Sequence, residues 1–212
     1  MKEFKNMLAF HEPGVAPVED ETGWYHVNRN LSELYPQRYQ RTFGYYDDRA
    51  SVIDNDGKWH HIDLNGDRVY SHSYAWSGNF QQGLCTVRDF DNRYFHIDTD
   101  GQKIYAAEYL YAGDYKDDYA CVKLLSGNFK HIDKQGNFLN DKEFIDLGVF
   151  HKGFATAKDE AGWFHIDKQG NALYTQRYLM AEPFYNGYAL MTNLDGTKQV
   201  IDESGKMVLN VG

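Results

Sequence analysis

Five histidines divide the 212-residue chain at an almost fixed interval: His26, His61, His96, His131 and His165, with successive differences of 35, 35, 35 and 34. Two positions before each stands a ring: Trp24, Trp59, Tyr94, Phe129 or Trp163. Imidazole is the commonest metal ligand and titrates near neutral pH, and a flat aromatic face is a natural ligand platform. Histidines related by rotation would form a ring, around which a coordination site can be pictured. One ligand per unit of a six-fold ring lies too far from the next for tetrahedral bonds of about 2 Å. The histidines are therefore read as structural, bonded to a neighbouring unit's backbone or to the Asp two positions on. The rings are read as packing between units, and both sets stand as the alternative ligand-binding residues. No metal and no cofactor is expected.

These residues belong to a longer phrase. Trp59-His60-His61-Ile62-Asp63 recurs as Tyr94-Phe95-His96-Ile97-Asp98 and Trp163-Phe164-His165-Ile166-Asp167, and decays to Lys198-Gln199-Val200-Ile201-Asp202. Self-similarity at this period marks a repeat architecture. A small-plus-apolar alternation precedes the phrase, as in Ala50-Ser51-Val52 and Ala120-Cys121-Val122, and reads as a strand. The phrase is a second strand ending in Asp-x-x-Gly, where Asp63, Asp98, Asp133, Asp167 and Asp202 cap the turn and Gly supplies positive φ. The first copy departs from this, with Asn28 and Leu31. Aliphatic-aromatic pairs such as Leu34-Tyr35, Val69-Tyr70 and Leu173-Tyr174 predict a third short strand. No helical stripe occurs.

The expected fold is all-β: six repeats of about 35 residues forming one domain over 1–212. Phe4 falls in the slot of Tyr39 and Tyr74, so residues 1–10 are expected to complete the last repeat. That offset favours a closed, propeller-like toroid of small blades, which removes the edge problem. An open β-hairpin solenoid is the alternative.

Lys plus Arg number 22 against 31 acidic residues, a net charge of −9, and no basic run occurs. Nucleic acid and an anionic membrane are excluded as partners on charge. Cys85 falls one strand position out of register with Cys121, so the thiols are expected on opposite faces and unpaired. Reduced cysteines, with no apolar stretch near Met1, give a cytoplasmic address. Asp47-Asp48 and Asp117-Asp118 are read as solvated loop charges. No Gly-x-Ser-x-Gly, His-Glu-x-x-His or Cys-x-x-Cys is present, and no catalytic residue is expected.

Segments such as Gly57-Lys58-Trp59-His60-His61-Ile62-Asp63-Leu64-Asn65-Gly66 and Gly162-Trp163-Phe164-His165-Ile166-Asp167-Lys168-Gln169-Gly170 resemble the units of bacterial WG-repeat (KWG-like) proteins. The glycine that follows Trp in that family is replaced here by Tyr25, His60, Phe95, Lys130, Phe164 or Gln199. The resemblance implies a propeller-like interaction module, and similar arrays look like N-terminal domains of some bacterial methyltransferases. The expected function is a monomeric, non-catalytic scaffold for a protein partner, an accessory domain of a methyltransferase-type protein being one form of it. A lectin-like carbohydrate binder with one aromatic site per repeat is the alternative.

Overall fold

A computed structural model of the chain describes residues 3–211. No helix occurs among them, and none is long and apolar enough to cross a membrane. The chain divides into two compact units at 108/109.

The first unit holds three antiparallel sheets. They are β1 (Asn6–Met7), β2 (Val15–Asp20) and β3 (Gly23–Asn28); β4 (Arg41–Tyr46), β5 (Arg49–Ile53) and β6 (Trp59–Ile62); β7 (Trp76–Ser77), β8 (Leu84–Arg88) and β9 (Tyr94–Asp98). The second unit repeats the plan with β10 (Tyr111–Ala112), β11 (Ala120–Lys123) and β12 (Phe129–Ile132), then β13 (Asp146–Leu147), β14 (Ala155–Asp159) and β15 (Gly162–Ile166). Its last sheet has four strands: β16 (Met180–Ala181), β17 (Tyr188–Thr192), β18 (Lys198–Asp202) and β19 (Met207–Val211).

Register follows from turn chemistry. Hairpins between the first and second strands of a sheet close on two residues with positive φ, Asp47-Asp48 at 49° and 57° and Asp117-Asp118 at 49° and 71°. This is the type I′ geometry whose twist matches flanking strands. The phrase strand ends where Asp63 Oδ1 accepts the backbone N–H groups of Asn65 (2.9 Å) and Asp67 (2.9 Å). Asp98, Asp133 and Asp202 each accept from the same two positions, and Asp167 accepts from Asn171 N–H. The first copy keeps this geometry despite its sequence. Asn28 Oδ1 accepts from Asn30 and Ser32, and Leu31 takes the positive φ of 59° itself.

Two features differ from the sequence reading. Among the described residues the third strand forms only in the last repeat, as β19. Elsewhere its residues bend away and touch the sheet through single bridges such as Ile62↔Arg68 and Trp59↔Tyr74. In three of these repeats the tyrosine of that segment places its ring under the Asp-x-x-Gly turn of the following repeat. A Cβ on Gly101 would come within 2.5 Å of the Tyr70 ring, and Gly66 and Gly205 stand likewise over Tyr35 and Tyr174. The opening segment, assigned from sequence to the last repeat, pairs within the first sheet: Asn6↔Glu19 and Met7↔Val18. Met1, Lys2 and Gly212 lie outside the described residues.

The core runs between sheets and is built from β-branched and small residues at alternating positions. Val18, Val27, Ala50, Val52, Ile62, Val87 and Ile97 are fully buried.

Gly101 and Gly57 share a positive φ (76° and 77°), but a Cβ on Gly57 would meet nothing within 4 Å. Alanine at Gly57 is expected to cost about 1 kcal/mol from backbone strain alone. Alanine at Gly101 is expected to cost clearly more, because the Tyr70 ring must move as well. The difference between the two urea midpoints isolates the ring contact; equal midpoints would show that the ring gives way freely.

Candidate functional site

His26, His61, His131 and His165 are each carried on the third strand of their sheet, with the ring aimed at the sheet that follows. His26 Nε2–H donates to the carbonyl of Phe43 (2.8 Å), His131 Nε2–H to Gly148 (2.8 Å) and His165 Nε2–H to Glu182 (2.8 Å). A carbonyl only accepts, so the proton sits on Nε2 and Nδ1 must be an acceptor. In four repeats Nδ1 receives a phenol O–H from the tyrosine nine residues on: Tyr35, Tyr70, Tyr105 and Tyr174 for His26, His61, His96 and His165. His61 Nε2–H meets Ser77 Oγ at 3.0 Å, and that hydroxyl donates onward to Gly78 O. The opening ring of the next repeat closes the imidazole face, with centroid distances of 4.7 Å to Tyr45, 4.7 Å to Phe80, 4.3 Å to Phe150 and 4.0 Å to Phe184.

Burial disfavours imidazolium here. It lowers His26, His131 and His165 to about 4 and His61 to about 3, against the pull of their carbonyl partners in the other direction. These are neutral connectors between sheets, with both nitrogens committed in His26, His61 and His165, and the Asp two positions on is not their partner. Among the described residues, no group of three His, Cys, Asp or Glu side chains is placed to hold a metal.

The fourth repeat breaks the pattern. Asn140 stands in the tyrosine slot, and its side-chain N–H reaches Lys168 O at 3.5 Å instead. His131 Nδ1 is buried with no hydrogen-bond partner. The His-to-Tyr spacing of nine was legible in the sequence at 26/35, 61/70, 96/105 and 165/174, with its break at 131/140.

The cysteines are free and buried. Cys85 Sγ lies 3.8 Å from His61 Nε2, toward the preceding sheet, and Cys121 donates to Leu147 O (3.2 Å) in the following one. Burial pushes the Cys121 thiol up to about 12, so it is no nucleophile at neutral pH. The paired loop carboxylates have a structural task that sequence reasoning missed. Asp47 accepts the N–H of Gly83 (2.7 Å), and Asp117 that of Lys152 (2.8 Å), each tying one type I′ turn to the next repeat's.

The phrase aromatics differ in availability. Trp24 is buried beneath the guanidinium of Arg41, 3.8 Å from its ring centroid. Trp59, Tyr94, Phe129 and Trp163 are half-buried. In the first unit they join a row not visible from the phrase alone. Phe43 stacks on Trp59 (5.1 Å), Trp59 meets Trp76 (6.4 Å), and Trp76 meets Tyr94 (6.2 Å), with Arg88 beside Tyr94. Trp76 was missed because it opens a two-residue strand with no periodic signal. In the second unit a pocket of about 580 Å³ lies among Leu110, Tyr111, Cys121, Phe129, Leu147 and Val149, with Lys123 and Asp146 at its wall. Rings, aliphatic groups and a few cations make surfaces that bind.

The model for the WG containing repeat matches residues 97–126, a stretch shorter than one repeat, and supports a WG-repeat protein. No curated protein matches the sequence. Among solved structures, a eukaryotic initiation factor aligns at TM-score 0.58 and 11% identity over 99% of this chain and 65% of its own. BamB from Moraxella catarrhalis aligns at 0.51 and 15% over 95% and 74%. The WD40 beta propeller domain of Doa1 aligns at 0.41 and 14% over 93% and 75%, a score too low to bear on the fold. At these identities the first two likenesses are of fold alone.

Tyr70→Phe strips His61 Nδ1 of its donor and is expected to cost about 1–3 kcal/mol in chemical denaturation. Asn140→Tyr supplies the donor that His131 lacks and is expected to stabilise by about 1 kcal/mol. No gain from that variant would show that the fourth repeat cannot accept the ring. The depressed histidines also set a pH dependence. In the unfolded chain they titrate near 6.5, in the folded one at about 3 to 4. Unfolding between those values therefore takes up protons, and stability falls as pH drops from 6.5 toward 4. Each histidine contributes a slope of up to about 1.4 kcal/mol per pH unit. Urea midpoints across this window check it, and a flat profile would contradict the neutral-imidazole assignment.

Proposed function

We propose that the chain is a non-catalytic binding module for a protein partner, with its sheets in the closed, propeller-like arrangement expected from sequence. The observation that carries the reading is the half-buried row Phe43, Trp59, Trp76 and Tyr94, bordered by Arg41 and Arg88. Large rings beside arginine are the composition of interface hot spots. The titratable groups that could run a reaction support the same conclusion from the other side. His26, His61, His131 and His165 are neutral connectors, and the Cys121 thiol is held protonated. A ring set at the repeat period would offer equivalent sugar platforms, but Arg41 covers Trp24, so the positions are not equivalent. The resemblance to methyltransferase N-terminal domains extends the proposal to a catalytic domain of that type as the partner class.

A photo-crosslinking amino acid at Trp76 is expected to capture a defined protein partner. Trp76→Ala and Arg88→Glu are then expected to weaken that complex by about tenfold or more, as hot-spot truncations do. Saturable quenching of tryptophan fluorescence by a glycan, with no crosslinked protein, would replace this reading with carbohydrate binding. Small-angle scattering checks the closed arrangement, for which an extended, rod-like profile is the contrary result.

A further inference from the structure

Strand β19 is unlike any other outer edge among the described residues. Where other repeats bend away after the Asp-x-x-Gly turn, Met207–Val211 lies flat against β18, pairing Val200↔Leu209, Gln199↔Asn210 and Lys198↔Val211. Its register irregularity, between Val200 and Ile201, is on the paired side. All five residues are exposed, Leu209 at 58% and Met207 at 54%. The usual guards of a free edge are missing: within 207–211 there is no lysine, no proline and no charge of either sign.

The sheet also carries an apolar row that stops abruptly at this edge. Leu190 pairs with Val200 and Val200 with Leu209, so the three lie side by side across one face. Leu190 and Val200 are half-buried, and Leu209 is open. In this repeat Val200 replaces the phrase histidine and Leu209 replaces its tyrosine, so no hydrogen-bonding group is left in either slot.

We propose that β19 is a homodimerisation edge, pairing antiparallel with β19 of a second copy about a two-fold axis at Leu209. The occupant follows from self-complementarity. The symmetric register sets Met207 opposite Val211, Val208 opposite Asn210, and Leu209 opposite its own copy. No like charges meet, although the whole chain carries −9. The row Leu190, Val200, Leu209 then continues into its own mirror sequence, and two four-stranded sheets become one of eight. The contact is isologous, so it closes at the dimer and does not propagate. This replaces the monomer expected from sequence and is independent of the aromatic row.

Sedimentation equilibrium on the full chain is expected to show a concentration-dependent dimer. Leu209→Lys places like charges face to face at the axis and is expected to weaken the dimer by about tenfold or more, with circular dichroism and urea midpoint unchanged because the residue is exposed. Mixing Leu209→Lys with Leu209→Glu copies is expected to restore the dimer as a mixed pair. Leu209→Cys is expected to yield a disulfide-linked dimer on mild oxidation, which the buried Cys85 and Cys121 cannot supply. A wild-type chain that stays monomeric to millimolar concentration overturns the proposal, as does a Leu209→Lys dimer as tight as wild type.

Discussion

A neutral imidazole has one donor and one acceptor, and this protein commits them in different places. The donor reaches the backbone of the next sheet, and the acceptor takes the phenol of the same repeat, as His26 does with Phe43 and Tyr35. Strands of two to six residues in sheets of three or four strands need a packed hydrophobic face to be stable. Their stability must come from the contact between neighbours. Placing a buried polar connector in that contact makes it specific as well as apolar. A slipped neighbour would leave a buried nitrogen without a partner, which costs about 1–3 kcal/mol. The tyrosine extends the same logic, because its ring lies under the next repeat's turn and admits only glycine there. Histidine, tyrosine and glycine are thus one device spread over two repeats.

The device also occupies the functional atoms of residues that look chemical. An imidazole with both nitrogens satisfied, held far below its usual titration range, has neither a lone pair for a metal nor a proton to exchange at neutral pH. The thiols are buried, and the capping carboxylates are occupied by backbone N–H groups. What remains for recognition is what the device leaves outside: ring edges, aliphatic groups and the cations leaning on them.

Much of the fold was legible because the repeat exposes its own rules. Strand, turn and strand could be read from alternation and from Asp-x-x-Gly, since both arise from local backbone needs. The type I′ turns at Asp47-Asp48 and Asp117-Asp118 were less visible, because two aspartates in a left-handed conformation look like ordinary loop charge. The third strand was misread at Tyr35 and Tyr70, whose segment resembles a strand but whose rings are required elsewhere. Partners at spacings of nine and seventeen residues, as for His165 with Tyr174 and Glu182, were open to inspection only once a hydrogen-bond role was assumed. The row through Trp76 was not legible, because a two-residue strand leaves no periodic trace.

The departures from the repeat are where individuality enters. At Asn140 the device is half dismantled and a buried nitrogen is orphaned. At Val200 and Leu209 it is gone altogether. Removing both polar partners together leaves nothing unsatisfied, and that is nearly neutral for the repeat itself, whereas removing one is not. The segment lies straight as β19, and among the described residues the repeat without the connector is also the one with a regular outer edge. The loss of an internal contact and the gain of an external one are, in this chain, the same substitution pattern seen from two sides.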